Sequence, residues 1–435
     1  MQVQCFCVNK HPRFQKLPFF ANLFLILFFC VLISGCGAGN HDSKTVLRFS
    51  FWGSGEELES IQTVVQQFEA AHPEIKIEAI HAPDNYFQKL HILVAGDLTP
   101  DVMMLNSLYL PVYADNGILK KLDSTEAKAV QKEFYPQAVK AMSWQNTPYA
   151  IPRDVSDLVV FYNADLLKRS GVALPKANWT LAEFEASAKK VCRPPNAAHP
   201  AGVFGVSFFE KPLFWLPFVW SFGGDLFASD FKTTHLSDAA SVEGLQAYAD
   251  WVNKLAIAPS KKQVGQQGMS QLFVDGHVAF LVSGRWTVPF LRKNAHFTWD
   301  VAPFPSVNGR SIVGIDASGY AISSKLDAQH EKAAWLFVQY LTSAKALRTL
   351  TEQGLIVPSR RDLAQSPSFL NGNLPPKNNR VFLDIIATGH PTHTPPNWDE
   401  VAEVLNTGLE PLWDGRQSAK ESVEKLLPEL REKLN

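Results

Sequence analysis

Val46-Leu47-Arg48-Phe49-Ser50-Phe51, running into Trp52-Gly53-Ser54-Gly55, is the stretch whose reading sets the fold. Its alternation reads as a strand closed by a turn. A helix begins near Glu56, where Leu58, Ile61, Val65, Phe68 and Ala71 recur at helical spacing, and Pro73 stops it. Ile75-Lys76-Ile77-Glu78-Ala79-Ile80 is a second strand, and a second helix follows from about Asn85 with Phe87, Leu90 and Val94 on one face. Gly96 to Pro100 breaks it, and Asp101-Val102-Met103-Met104-Leu105 is a third, apolar strand. Strand, helix, strand, helix, strand is the wiring of a parallel sheet covered on both faces. Ligands on such sheets collect at the carboxyl ends of the strands. Those ends are Trp52-Gly53-Ser54 and Asn106-Ser107.

Upstream of this unit, Lys10, Arg13 and Lys16 precede an uncharged Phe/Leu-rich run from Leu17 to Ile33, and Leu32-Ile33-Ser34-Gly35-Cys36 closes it. Basic start, apolar middle and small residues before a cut describe a secretory signal peptide. The terminal Cys36 resembles that of a bacterial lipobox, in which the sulfur receives a lipid. The reading is a signal peptide over 1–35, lipidation at Cys36 and a tether over 36–44. An uncleaved membrane anchor is the alternative, since ~20 apolar residues can span a bilayer.

With 46% hydrophobic and 19% charged residues, the remainder has an ordinary globular composition. A formal net charge of −1 argues against nucleic acid or anionic lipid as the main partner, because either needs a basic surface. Of the 5 cysteines, only Cys192 lies beyond the leader and its lipobox, so no intrachain disulfide is expected despite export.

Further along, Tyr149 to Asp154 is extended and Leu158 to Asn163 is a strand. Thr180 and Glu183 form a capping box at a helix start. An aromatic block from Phe214 to Phe222 precedes Gly223-Gly224-Asp225, and Val278 to Val282 is a strand leading to Gly284-Arg285-Trp286. Taken in order, these segments resemble the carbohydrate-type extracellular solute-binding proteins of ABC importers. The resemblance runs from Leu47 to about Leu427. Its most specific part is Phe273-Val274-Asp275-Gly276-His277-Val278-Ala279-Phe280 with Gly284-Arg285-Trp286. Relatives tend to carry Lys and Met where His277 and Phe280 stand.

The resemblance implies an α/β, two-lobed periplasmic-binding-protein fold of type II kind, each lobe a mostly parallel sheet flanked by helices, with the ligand cleft between lobes. Crossings are expected near Asp154 and Gly319. The lobes would then be 45–153 with 318–365, and 154–317 with 366–435. It also implies a small carbohydrate as ligand, ABC permease transmembrane subunits as partners, attachment to the membrane through Cys36, a monomer, and neither cofactor nor enzymatic activity.

A sugar presents apolar C–H faces and hydroxyl edges, so its site needs planar rings and charged hydrogen-bonding groups, the latter contributing ~1.5–3 kcal/mol each. Trp52 and Asn106 sit at strand ends. Ser54 and Glu56 open a helix, where a carboxylate also stabilises the N-terminus; that role suits Glu57 more than Glu56. Arg153 and Asp154 stand where the family places polar contacts, although a mutual ion pair is the alternative. Trp220, Gly224 and Asp225 follow, the glycines permitting close backbone approach. Trp286 is the leading candidate for stacking, Asp316 and Ser318 would form a loop at the second crossing, and Trp398 matches a late aromatic contact of relatives. No three residues have metal-ligand spacing, and neither a Walker loop nor a Gly-x-Ser-x-Gly elbow occurs. A lipid-anchored glycosidase using Glu56, Asp154 or Asp225 is the alternative function. A receptor for glycerol phosphate or a polyamine is another.

Overall fold

The computed structural model describes residues 44–194, 202–264, 268–392 and 394–435. The leader and the lipidation site at Cys36 lie outside the described residues. In chain order the strands are β1 (Thr45–Phe51), β2 (Ile75–His81), β3 (Val102–Asn106), β4 (Ala150–Ser156), β5 (Val159–Asn163), β6 (Phe204–Val206), β7 (Val278–Ser283), β8 (Trp299–Ala302), β9 (Gly314–Ile322), β10 (Val357–Pro358) and β11 (His390–Pro391); a small hairpin, Ser143–Trp144 with Thr147–Pro148, stands apart.

The larger sheet runs β10-β4-β9-β3-β1-β2, with β11 beside the start of β9. β1 pairs in parallel with β2 and β3, as the opening stretch requires. β9, however, is antiparallel to both β3 and β4. The smaller sheet, β8-β5-β7-β6, is parallel only between β6 and β7. The expected mostly parallel sheets are therefore mixed. A helical crossover within one sheet imposes parallel pairing; β9 reaches the larger sheet from the smaller lobe, a route that imposes nothing of the kind.

Two apolar layers cover the larger sheet. Phe49, Phe51, Val102, Met104 and Tyr320 face the helices Gly55–Ala71, Ala328–Leu341 and Ala344–Glu352. Met103, Leu105, Ala317 and Ala321 face the other way, toward Tyr86, Leu90 and Leu110. A third core, built on β5 and β7, holds most of the aromatic block, including Trp215 and Phe218, and the C-terminal helices Trp398–Trp413 and Ala419–Leu434. Every residue of β5 and β7 is buried, which is why both read as unbroken apolar runs. The Thr180–Glu183 capping box forms as its spacing requires.

The chain passes between the sheets twice: β4 ends at Ser156 and β5 begins at Val159, and β8 ends at Ala302 and β9 begins at Gly314. A further excursion leaves the larger sheet after β10, packs Phe369 and Phe382 into the smaller lobe's core and returns as β11 beside β9. Of the positions near which crossings are expected, Asp154 lies two residues before the end of β4 and Gly319 lies inside β9. Asp316 and Ser318, expected in a loop, belong to β9, opposite Ser156 and Asp154 across a register shift at Ser318/Gly319. Pairing on both sides of β9 keeps this segment extended.

Candidate functional site

Two cavities hold most of the candidate residues. The smaller, of about 100 Å³, opens at the strand ends and is lined by Trp52, Glu57, Arg153, Asp154, Trp286 and Ser318, among others. The larger, of about 990 Å³, lies beside the Ser143–Pro148 hairpin and β11 and is lined by Trp144, Trp220, Asp225, Phe231, His390 and Trp398, among others. The candidate residues are thus divided: Trp52, Arg153, Asp154, Ser318 and Trp286 border the first, and Trp220, Asp225 and Trp398 the second.

At the smaller cavity, Trp52 leaves β1 half-buried, packed on Tyr86 and Phe87 at ring distances of 5.2 and 5.7 Å. Across the cavity, Trp286 stands on a 3₁₀ turn after β7 and is 40% exposed. Its ring lies so close over Gly284 that a Cβ there would fall 1.8 Å from Cζ3. One face of the indole is therefore braced by backbone, and only glycine admits that arrangement.

Arg153 is committed elsewhere. Its Nη1 meets Glu57 Oε1 at 2.5 Å, and its Nε and Nη2 reach Asp154 Oδ2 at 2.7 and 2.6 Å. All three side chains are buried. Burial disfavours the guanidinium charge, but the Asp154 and Glu57 carboxylates outweigh it and hold its pKa well above the ordinary value. Asp154 also accepts the Ser318 backbone N–H at 3.0 Å, fixing β4 against β9. Glu57 was expected only to stabilise its helix. A partner 96 residues away leaves no local signal.

Other candidates serve the frame. Ser54 caps the helix Gly55–Ala71 by accepting the Glu57 N–H at 3.3 Å. Glu56 has its pKa lowered, first by a backbone hydrogen bond, and lies 3.6 Å from Lys293 of the other lobe. Asn106 Oδ1 accepts the Tyr109 N–H at 3.1 Å. Asp316 is buried and accepts the Ser107 N–H at 3.1 Å and the Ser107 hydroxyl; burial pushes its pKa up to about 6. Gly224 lies against the helix Ala239–Asn253, where a Cβ would fall 2.6 Å from the Ser241 backbone nitrogen.

At the larger cavity, Trp220 is only 5% exposed and donates Nε1–H to Asp225 Oδ1 at 3.1 Å. His390 stacks on it at 4.5 Å and 17°. Burial raises the Asp225 pKa, but hydrogen bonds from His390, the Leu226 N–H and Trp220 reverse this and leave it lowered. Trp398 is 3% exposed and offers little more than an edge. Among the described residues no group of three His, Cys, Asp or Glu could hold a metal ion.

The family model for bacterial extracellular solute-binding proteins matches residues 52–347. The chain belongs to that family. Among relatives of this solute-binding protein, the galactooligosaccharide-binding protein of Bacillus subtilis is 23% identical over 387 residues, covering 86% of each chain. The maltotriose-binding protein of Pyrococcus abyssi is 22% identical, covering 77% of this chain and 70% of its own. Among solved structures, an ABC substrate-binding protein from Listeria monocytogenes in complex with cycloalternan superposes with a TM-score of 0.82 at 24% identity, over 90% of this chain and 99% of that one. The maltotriose-binding protein of Thermus thermophilus gives 0.75 at 19% identity, over 89% of this chain and all of its own. These likenesses establish the two-lobed fold. The family consists of binding proteins rather than enzymes, and the solute-binding protein is an exported one.

Proposed function

We propose that this solute-binding protein captures a sugar or oligosaccharide between its lobes and delivers it to the transmembrane permease of an ABC importer. One observation carries the reading. Trp286 of the smaller lobe, its outer face exposed and its inner face braced, lines the same cavity as Trp52 of the larger lobe. A ligand touching only one lobe has no differential affinity for the closed form and shifts no population. Two indoles, one from each lobe, meet that requirement. The lobes are taken as 45–156 with 314–358 and β11, and 159–302 with the C-terminal helices Trp398–Trp413 and Ala419–Leu434. Relatives named for galactooligosaccharide and maltotriose support the ligand class.

The glycosidase alternative draws no support from the carboxylates at this cavity. Glu57 and Asp154 share one guanidinium instead of flanking an open space as an independent pair. We further propose that the exported protein is held to the membrane by lipid on Cys36 and acts as a monomer.

A thermal-shift screen over a library of neutral mono- and oligosaccharides tests the reading. A ligand at 100 times its dissociation constant adds ~2.7 kcal/mol of stability. A shift with at least one sugar, lost in Trp286→Ala, supports the site, whereas no shift with any sugar overturns it. Release of new reducing ends would favour the glycosidase. Metabolic labelling with a fatty acid, compared between the natural chain and Cys36→Ser, tests the anchor.

A further inference from the structure

Arg285, next to the exposed Trp286, is only 3% exposed. Its guanidinium lies over the Phe369 ring at 4.4 Å and the Phe382 ring at 5.3 Å, and Nη1 donates to Asn379 Oδ1 at 2.5 Å. All three partners belong to the segment between β10 and β11, which leaves the larger sheet and returns to it. Nε has no hydrogen-bond partner. The opposite charge that acts on Arg285 is Asp157, at the first passage, between β4 and β5. Asp157 is 1% exposed, and beyond its own backbone N–H neither of its carboxyl oxygens has a hydrogen-bond partner.

Neither half of this arrangement is explained by packing. A buried carboxyl and a buried guanidinium N–H short of partners each cost free energy; one lies at the first crossing, between β4 and β5, and the other on the turn after β7 that carries Trp286. Burial accordingly raises the Asp157 pKa well above the usual carboxyl range, despite Arg285. Burial, with Arg292 as the nearby like charge, lowers that of Arg285 to about 9.

We propose that Arg285 is a positioning residue of the site, a clamp tying the turn that carries Trp286 to the segment between β10 and β11 and responding to the charge of Asp157 at the first crossing, so that the ring's orientation follows both. Phe369, Phe382 and Asn379 hold the clamp by direct contact. Asp157 acts on it by charge alone. Any rotation of one lobe against the other acts on that segment and that crossing, and through Arg285 it reaches the indole.

The proposal rests on Trp286 being the ligand-facing ring, but its test uses no ligand, so absence of sugar binding would not be mistaken for its failure. The full chain, labelled with 5-fluorotryptophan, is observed by fluorine NMR. Trp286→Phe identifies the Trp286 signal among the 11 tryptophans. Asp157→Asn, nearly the same shape, is expected to move that signal, and Arg285→Lys to move or split it. The Trp179 and Trp251 signals from the smaller lobe's core should stay in place. Titration should move the Trp286 signal in the natural chain and not in Asp157→Asn. A Trp286 signal unchanged by Asp157→Asn at every pH overturns the proposal, even if Arg285→Lys fails to fold.

Discussion

Replacing Arg153 with methionine removes the cation shared by Glu57 and Asp154 while keeping an unbranched chain beside Met104. Arg153 makes three close contacts with the two carboxylates, at 2.5, 2.6 and 2.7 Å, and all three residues are buried. Loss of one partner from a buried ion pair costs about 3–5 kcal/mol, because an uncompensated charge is left behind. Asp154 keeps the Ser318 N–H, which softens its share; Glu57 keeps nothing comparable. We therefore expect a loss near 3 kcal/mol, about a 150-fold shift toward the unfolded chain at ~1.4 kcal/mol per factor of ten. Urea titration followed by far-UV circular dichroism measures it. The double variant Glu57→Gln/Arg153→Met should recover part of the loss, since no lone carboxylate then remains on the helix side. A cost below 1 kcal/mol for Arg153→Met would refute the view that this cluster holds the sheet edge to the helix.

Asp316, Gly284 and Trp220 give three shorter predictions. The Asp316 pKa is raised on folding to about 6 from an unfolded value near 3.9, so its contribution is fully present below pH ~4 and is lost as pH rises through 6. Asp316→Asn should therefore be relatively more stable at pH 7.5 than at pH 4.5, read as the difference between the urea midpoints of variant and natural protein at each pH. Gly284→Ala has ordinary backbone angles available but drives a methyl group into the Trp286 ring; the unfolding midpoint should barely move, while sugar affinity falls at least tenfold by isothermal titration calorimetry. Trp220→Phe removes the Asp225 hydrogen bond from a ring stacked under His390. It should cost about 1–2 kcal/mol of stability and leave sugar affinity within a factor of about three.

The opening strands and their helices were legible because apolar periodicity records burial directly: Leu47, Phe49 and Phe51 alternate because they face one layer. β9 was not: Asp316 and Ser318 interrupt its apolar run and suggest a loop, and its antiparallel entry depends on where the chain has been beforehand. For the site, Trp286 could be singled out because it follows a strand end and a glycine. Trp220 and Trp398 carry the same residue type and proved nearly buried, since helix packing around the smaller sheet decides their exposure. The interactions of Glu57, Arg285 and Asp157 were not legible for a common reason: they join residues 94 to 128 positions apart, and no local pattern marks them. Gly224 invited a ligand role, but its missing side chain serves the close approach of Ser241.

β9 occupies the middle of the larger sheet, yet every strand of the smaller sheet is synthesised before it. β3 and β4 consequently wait, without their common neighbour, until most of the polypeptide has been made. Pairings of such long sequence separation form slowly. A polypeptide wired in this way remains threadable through much of its synthesis, and it acquires its final shape only after nearly the whole length has arrived on the far side of the membrane it must cross.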